Sequence, residues 1–109
     1  MLNQLVLVGR LVSDLQINET ENGKKECNIT LSIPRNYKNE DGIYENDYIS
    51  LRLCNEIATK VVEYCKKGDL VGVKGHIQTR KYEDANEVIH NVTEVIAEKV
   101  TFLSSKKAD

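Results

Sequence analysis

The sequence predicts an all-β domain with the OB-fold, a five-stranded, partly open Greek-key barrel with one helix between its third and fourth strands. Three observations lead to this prediction. The chain has 109 residues, the length of one domain. Its apolar residues fall mostly into short alternating segments separated by turn signals, and one segment has the period of an amphipathic helix. The order along the chain is therefore β-β-β-α-β-β.

The first two strands carry different apolar patterns. Residues 5–12 are apolar at both odd and even positions, which point to opposite faces of a strand. This indicates that both faces or an edge of the strand are covered. Gly9 inside it predicts a bulge or a tight bend of the barrel. The pair Asn22-Gly23 predicts a hairpin turn, because Asn-Gly accepts positive φ. The second strand then alternates cleanly through residues 27–33, and Pro34 is expected to end it or lie at an edge.

The third strand and the helix are joined directly. Residues 35–47 are polar and predict a long loop or an extended hairpin tip. Residues 48–54 alternate again, with three aliphatic residues on one side and polar or aromatic ones on the other. Residues 55–67 predict the helix, with Asn55 as its cap and an apolar stripe through Val61 and Tyr64. Gly68 is suited to the left-handed position that follows a helix end.

The last two strands form the second half of the predicted barrel. Residues 71–82 place Val71, Val73 and Ile77 on one parity and mainly basic, polar and aromatic residues on the other. A polar loop over residues 83–87 leads to the last strand, within residues 88–103. Its mixed parity predicts a bulge or a shared edge. The barrel domain is predicted over residues 1–104, with a short disordered C-terminus over residues 105–109.

Composition excludes several classes of protein. The three cysteines are odd in number and have no CxxC spacing, which argues against a disulfide framework and a zinc site. No apolar run approaches the length of a membrane span, and the N-terminus does not have the pattern of a signal peptide. We therefore expect a cytoplasmic, nucleoid-associated protein without membrane contact.

Catalysis and cofactors are not expected. No nucleotide-binding or hydrolase motif occurs, and no nucleophile–base pair can be named. His76 and His90 lie on separate predicted strands without ligand spacing, so we interpret His76 as a polar groove residue and His90 as a surface strand residue. The sequence thus predicts no catalytic residue, no metal ligand and no cofactor.

The outward-facing positions of the predicted strands instead combine basic residues with aromatic rings. The formal net charge of −2 argues against a nucleic-acid binder when taken alone, but the acids cluster in predicted loops and several bases lie in predicted strands. Non-specific binding of single strands requires cations along the phosphates and aromatic faces for the bases. The predicted DNA-binding residues are Arg10, Arg35, Tyr37, Lys38, Tyr48, Arg52, Lys74, His76, Arg80 and Tyr82. The alternative is that the tyrosines are only cross-strand partners on a solvated sheet face.

Four segments resemble the bacterial single-stranded DNA-binding protein family over nearly the whole chain. They are MLNQLVLVGRL at the N-terminus, NITLSI in strand two, YCKKGDLVGVKGHIQTRKYED across the helix end and strand four, and VTEVIAEKVTFL near the end. The resemblance implies an OB-fold that binds single-stranded DNA in replication, recombination and repair. It also implies a homo-oligomer formed through paired strands, with a tetramer expected first and a dimer second. The stacking aromatics of the family fall on Tyr37, Tyr48 and Tyr82.

Two departures from the family pattern limit what the resemblance implies. A further family aromatic falls on Cys54, so one stacking platform is lost or replaced. The acidic, hydrophobic C-terminal tip that recruits other enzymes in this family has no counterpart in residues 104–109, so tail-dependent partners are not expected. The chain resembles the short paralogues found on mobile elements, in phages or in competence systems, although a truncated chain would look the same.

Three other functions remain open. A primosome-type relative would be a dimeric OB-fold protein that bridges DNA and partner proteins in replication. OB-folds also bind oligosaccharides, and a third alternative is a structural subunit of a larger assembly. Strong salt dependence would distinguish DNA binding from sugar binding, and titration with oligo-dT would distinguish it from a purely structural role.

Overall fold

A computed structural model describes residues 1–105 and contains six strands and one helix. These are β1 (Leu5–Leu11), β2 (Asn18–Glu19), β3 (Lys25–Lys38), β4 (Tyr44–Cys54), α1 (Asn55–Tyr64), β5 (Leu70–Glu83) and β6 (Ile89–Ser104). The predicted disordered segment, residues 105–109, lies outside the described residues except for Ser105.

The five long strands close into a barrel, which confirms the predicted OB-fold. β1 pairs with β5, β5 with β6, β4 with β3, and β3 again with β1, all antiparallel; β6 and β4 pair in parallel. The helix was predicted between the third and fourth strands, but α1 lies between β4 and β5, one strand later in the chain. The additional strand is β2, whose two residues pair with β3 and are too short to produce an alternating pattern.

The core lies inside the barrel and under α1. It consists of buried side chains from every long element: Leu11, Cys27, Ile29, Leu31, Leu51, Leu53, Ala58, Val61, Val71, Val73 and Ala97. Cys27, Ile29 and Leu31 are successive inward positions of β3, as the alternation predicts. Removing one such aliphatic side chain would cost about 2–5 kcal/mol of folding free energy.

Two glycines allow neighbouring strands to approach closely where the barrel closes. A Cβ added at Gly9 would lie 2.7 Å from the Ser32 carbonyl oxygen and 2.8 Å from Ile33 Cγ1. A Cβ at Gly75 would collide with the carbonyl oxygen of Ile96, next to a register shift in the β5–β6 pairing. Gly9 thus permits the close approach of β1 to β3, but its pairing with β5 has no register shift and so shows no bulge. The irregular pairing predicted for the last strand is confirmed.

The helix differs from its predicted form at both ends. Asn55 is not the cap: Cys54 precedes the helix in extended conformation, and Asn55 is the first helical residue with a φ of 53°. Asparagine tolerates this left-handed region better than most residues. The helix ends at Tyr64 rather than at residue 67, because the buried Asp69 carboxylate accepts the Lys66 N–H at 2.9 Å and turns the chain. Tyr64 is exposed, so the predicted stripe is wrong at that position.

Two long hairpins extend from the barrel. The β3–β4 arm (residues 34–48) confirms an extended hairpin tip over residues 35–47, and β3 continues through Pro34 rather than ending there. The register is irregular between Pro34 and Lys38, where the proline cannot donate to the ladder. The β5–β6 arm (residues 77–95) keeps regular pairing from Ile77 opposite Val95 to Glu83 opposite Ile89.

Candidate nucleic-acid interface

The outward parities of β3, β4, β5 and β6 form one continuous face that carries most of the predicted site residues. Between the β3–β4 strands and the β5–β6 arm lies an open groove of about 520 Å³. Its lining includes Asn28 and Ser50 on one side and Arg80 on the other, with Arg52 and Glu94 also in the lining. The structure therefore brings Arg52 and Arg80, which are 28 residues apart in the chain, into one groove.

A carboxylate joins these two arginines. Glu94 on β6 lies 3.0 Å from Arg52 Nη2 through its Oε2 atom, and its Oε1 atom accepts a hydrogen bond from Arg80 Nε. The hydrogen bond and the charge of Glu94 raise the pKa of Arg80. Among the described residues, Arg52 Nε and Glu94 Oε2 have no hydrogen-bond partner, so the Arg52–Glu94 contact is an ion pair without an aligned hydrogen bond.

At the far end of the β5–β6 arm, Tyr82 stacks on His90. The ring centroids are 5.0 Å apart and the planes are inclined by 20°. His90 Nε2 lies 2.7 Å from Asp84 Oδ2, while Asp84 Oδ1 accepts the backbone N–H groups of Asn86 and Val88. The hydrogen bond from His90 is the main cause that lowers the pKa of Asp84. The turn thus fixes the carboxylate, the carboxylate orients the imidazole, and the imidazole supports one face of Tyr82.

On the β3–β4 arm, Arg35 is paired with two carboxylates. Arg35 donates to Asp47 through Nε and Nη2, the latter at 2.9 Å, and to Glu45 Oε2 at 2.9 Å. The hydrogen bond from Arg35 lowers the pKa of Asp47. Two carboxylates therefore neutralise this guanidinium.

The aromatic residues of the same arm are open to solvent. Tyr37 and Tyr48 are each 64% exposed, against 44% for Tyr82. The Lys38 ammonium lies 5.7 Å from the centroid of the Tyr44 ring, within cation–π distance. Tyr48 faces Ser32 across the β3–β4 pair, and Ser32 in turn faces Arg10 on β1. Arg10, Ser32 and Tyr48 thus form a row across three strands.

Lys74 and His76 lie closer to the barrel on β5. Lys74 is opposite Val6 on β1 and Lys99 on β6, so two lysine residues are neighbours across strands. His76 Nδ1 lies 3.5 Å from Glu98 Oε2, and its Nε2 is 3.1 Å from Gln78 Oε1. Of the cations predicted on this face, Arg10, Lys38 and Lys74 make no ion pair within residues 1–105. Arg10 Nη1 instead donates to the Gly68 carbonyl oxygen at 3.1 Å.

Sequence reasoning missed three residues of this face: Asp84, His90 and Glu94. His90 was interpreted as a surface strand residue, although it stacks on Tyr82. The predicted turn over residues 83–87 offered a signal, because residues equally distant from a hairpin turn face each other. For Glu94 no comparable signal existed, since its contact with Arg52 depends on the parallel pairing of β4 with β6.

Within residues 1–105, the part of the chain that the structure describes, no group of three or more histidine, cysteine or acidic side chains is placed to hold a metal ion. The only helix in this part is too short to cross a membrane.

The barrel, its two arms and an outer face of tyrosines and paired arginines define a binding protein of the OB-fold class. Comparison with known proteins gives the particular family. The Single-strand binding protein family (SSB) matches residues 2–103, nearly the whole chain. The chain therefore belongs to this family.

Several curated relatives are similar along almost all of the chain. "Single-stranded DNA-binding protein B" of Bacillus subtilis (strain 168) is 43% identical over 106 residues, which cover 97% of this chain and 94% of the relative. "Single-stranded DNA-binding protein 1" of Clostridium acetobutylicum is 37% identical over 107 residues and 97% of both chains. A relative from Halalkalibacterium halodurans, also 43% identical, is longer, and the match spans 63% of its length.

Proposed function

We propose that this protein binds and protects single-stranded DNA without sequence preference, in the cytoplasm, during replication, recombination or repair, and catalyses no reaction. Membership of the single-strand binding family and the names of its relatives support this function. The observation that carries it is the outer face, where the exposed rings of Tyr37, Tyr48 and Tyr82 lie on the same strands as basic residues. Such a combination suits stacking of any base together with contact to the phosphates.

The ten predicted residues have different parts in this proposal. Tyr37, Tyr48 and Tyr82 provide flat surfaces for bases, because every base has a π-face. Lys38 and Lys74 attract phosphates directly, since they are exposed and make no ion pair within residues 1–105. The remaining predicted contacts are Arg10, Arg35, Arg52, His76 and Arg80, of which Arg35, Arg52 and Arg80 are ion-paired in the structure.

The same proposal includes assembly into a homo-oligomer through β1, with a tetramer as the first expectation and a dimer as the second. Val6 and Val8 point outward from β1, and Val6 is 73% exposed. Leu103 continues this apolar surface, since its Cδ1 and Val8 Cγ2 both lie within 4.0 Å of the Cβ position of Gly72. A second copy of the same strand would cover the patch by pairing along its edge.

A titration with fluorescently labelled oligo-dT at several salt concentrations tests DNA binding. If each subunit neutralises about four phosphates, log K should fall with log salt with a slope of roughly −3, since each phosphate of a single strand contributes about −0.7. A flat salt response, or a preference for duplex DNA, would contradict the proposal.

Light scattering of the wild type and of Val8→Lys tests assembly. We expect the wild type to be an oligomer at micromolar concentration and the variant to dissociate, because a lysine would be desolvated at the proposed contact. A monomeric wild type would contradict the proposal, as would a variant that assembles normally.

A further inference from the structure

Glu94 occupies a position in the groove that its charge makes unfavourable for DNA binding. It is opposite Gln78 in the β5–β6 pairing, and its side chain is only 13% exposed. It contacts Arg52 from β4 and Arg80 from β5, so one carboxylate links three strands at the centre of the groove. Any phosphate that approaches either arginine must therefore also approach a negative charge.

The charged residues that line the groove cancel each other. They are two arginines, Arg52 and Arg80, and two glutamates, Glu26 and Glu94. Glu26 also acts on Arg80 through its charge. A guanidinium that already has a carboxylate partner gains less from a phosphate, because the phosphate is repelled by that carboxylate as it is attracted by the arginine. The groove as it stands is a weaker anion site than its two arginines would provide alone.

The network is also incompletely satisfied. Arg52 Nε and Glu94 Oε2 are buried and have no hydrogen-bond partner among the described residues. A buried polar group without a partner destabilises the arrangement that contains it. A phosphate oxygen could accept the hydrogen bond that Arg52 Nε lacks within residues 1–105, so the guanidinium of Arg52 is expected to reorient towards a phosphate.

From these contacts we infer that Glu94 tunes DNA binding by competing with phosphate for Arg52 and Arg80. The inference rests on the proposed function, and it assigns to Glu94 a role in determining affinity and salt dependence. DNA must displace the carboxylate from the arginines before their full charge reaches the phosphates. The bound strand is consequently held less tightly, and it responds less steeply to salt, than the count of basic residues implies.

The test compares Glu94→Gln with the wild type and with Glu63→Gln. Glutamine keeps the size of the side chain and removes its charge. Glu63 is exposed on α1 outside the groove, so its variant has the same change in net charge. In anisotropy titrations with labelled oligo-dT we expect Glu94→Gln to bind about tenfold more tightly at low salt. Its log–log salt slope should become steeper by about 0.7–1.4, the contribution of one or two phosphates. Glu63→Gln should stay within about twofold of the wild type.

A Glu94→Gln protein that binds no better than Glu63→Gln would overturn the inference, and weaker binding would show instead that Glu94 only orients the arginines. If Glu94→Gln binds more tightly, adding Arg80→Ala should remove most of the gain in affinity.

If thermal melts show that Glu94→Gln does not fold, Glu94→Asp is tested instead, because its shorter carboxylate cannot reach both arginines. It should change affinity and slope in the same direction, and unchanged values would overturn the inference. Failure of the wild type to bind oligo-dT would contradict the proposed function instead.

Discussion

The two arms of this molecule present tyrosines in different ways. In the β5–β6 arm the pairing is regular, and Tyr82 rests on His90, which Asp84 holds in place. In the β3–β4 arm the pairing is irregular after Pro34, and Tyr37 and Tyr48 are more exposed, at 64% each. Both arms carry aromatic rings and cations, but only the β5–β6 arm shows an aromatic ring stacked on another.

This difference indicates how each arm would contribute to binding. A ring that is already oriented loses little conformational freedom when a base stacks on it, whereas a free ring must be ordered first. The β5–β6 arm therefore acts as a prepared platform, and the β3–β4 arm as an adaptable one.

Removal of the Tyr82 ring should have the largest effect on DNA binding. Tyr82→Ala should cost about 1–3 kcal/mol for the stacked base. The salt slope should stay nearly unchanged, because no phosphate contact is lost. Tyr82→Phe is the matched control and should bind almost as well, since it keeps the π-face. Anisotropy titrations with oligo-dT measure both quantities. A folded Tyr82→Ala protein with wild-type affinity would show that Tyr82 is only a solvated sheet residue.

The corresponding changes in the other arm should be smaller. We expect Tyr48→Ala and Tyr37→Ala each to cost about 1 kcal/mol, the lower end of the range for a stacked base, because part of the stacking gain is spent on ordering the free ring. The same titrations apply, with Tyr64→Ala on α1 as a control for loss of an exposed tyrosine outside this face. If Tyr48→Ala weakens binding more than Tyr82→Ala does, the assignment of the prepared platform to the β5–β6 arm is wrong.

The parts of the fold that follow local pattern could be predicted from the sequence. Alternation in β3 correctly identified Cys27, Ile29 and Leu31 as inward, and Asn22-Gly23 correctly identified a turn, in which Gly23 has a φ of 79°. The outward parity of Arg52 also followed from alternation within one strand. These features depend only on residues that are neighbours in the chain.

The contacts between distant strands could not be predicted in the same way. Glu94 reaches Arg52 because β4 and β6 pair in parallel, and it lies opposite Gln78 because of the β5–β6 register beyond the shift next to Gly75. Neither fact is visible in the composition or periodicity of one segment. The ion pairing of Arg35 with Asp47 was likewise missed, since residues 35–47 were interpreted only as a loop or hairpin tip of unspecified register. The sequence therefore indicated which residues lie on the outer face, and the pairing of strands determined which of their charges are neutralised.

Loss of the His90 ring tests whether its stacking on Tyr82 strengthens the binding of a base to Tyr82. His90→Ala should weaken oligo-dT binding by about 0.5–1.5 kcal/mol, the size of a favourable aromatic pair. In a Tyr82→Ala background the same substitution should have almost no further effect, because the ring it supports is absent. His90→Phe should restore much of the affinity. Additive losses in the double variant would mean that His90 does not act through Tyr82.

The smallest expected effect concerns pH, and it compares Asp47 in the β3–β4 arm with Asp84 in the β5–β6 arm. The pKa of each carboxyl lies below its usual value of 3.8, mainly through a hydrogen bond from Arg35 and from His90, respectively. A carboxyl whose pKa is lowered by folding stabilises the folded state above its unfolded pKa. That contribution is lost as pH falls through the folded pKa. Stability should therefore decrease below about pH 3.8 in both arms, and only modestly, because the Asp47 and Asp84 side chains are partly exposed, at 46% and 31%, and solvent screens their interactions. Thermal melts between pH 2.5 and 6 should show a shallower decline in stability for Asp47→Asn and for Asp84→Asn than for the wild type.

Only protonation of Asp84 should also disturb Tyr82, because only that carboxylate is linked to a stacked ring. Tyrosine signals in near-ultraviolet circular dichroism should consequently change at low pH in the wild type and in Asp47→Asn. In Asp84→Asn they should already be altered at neutral pH. Identical spectra for all three proteins across this range would remove the structural basis for distinguishing the two arms.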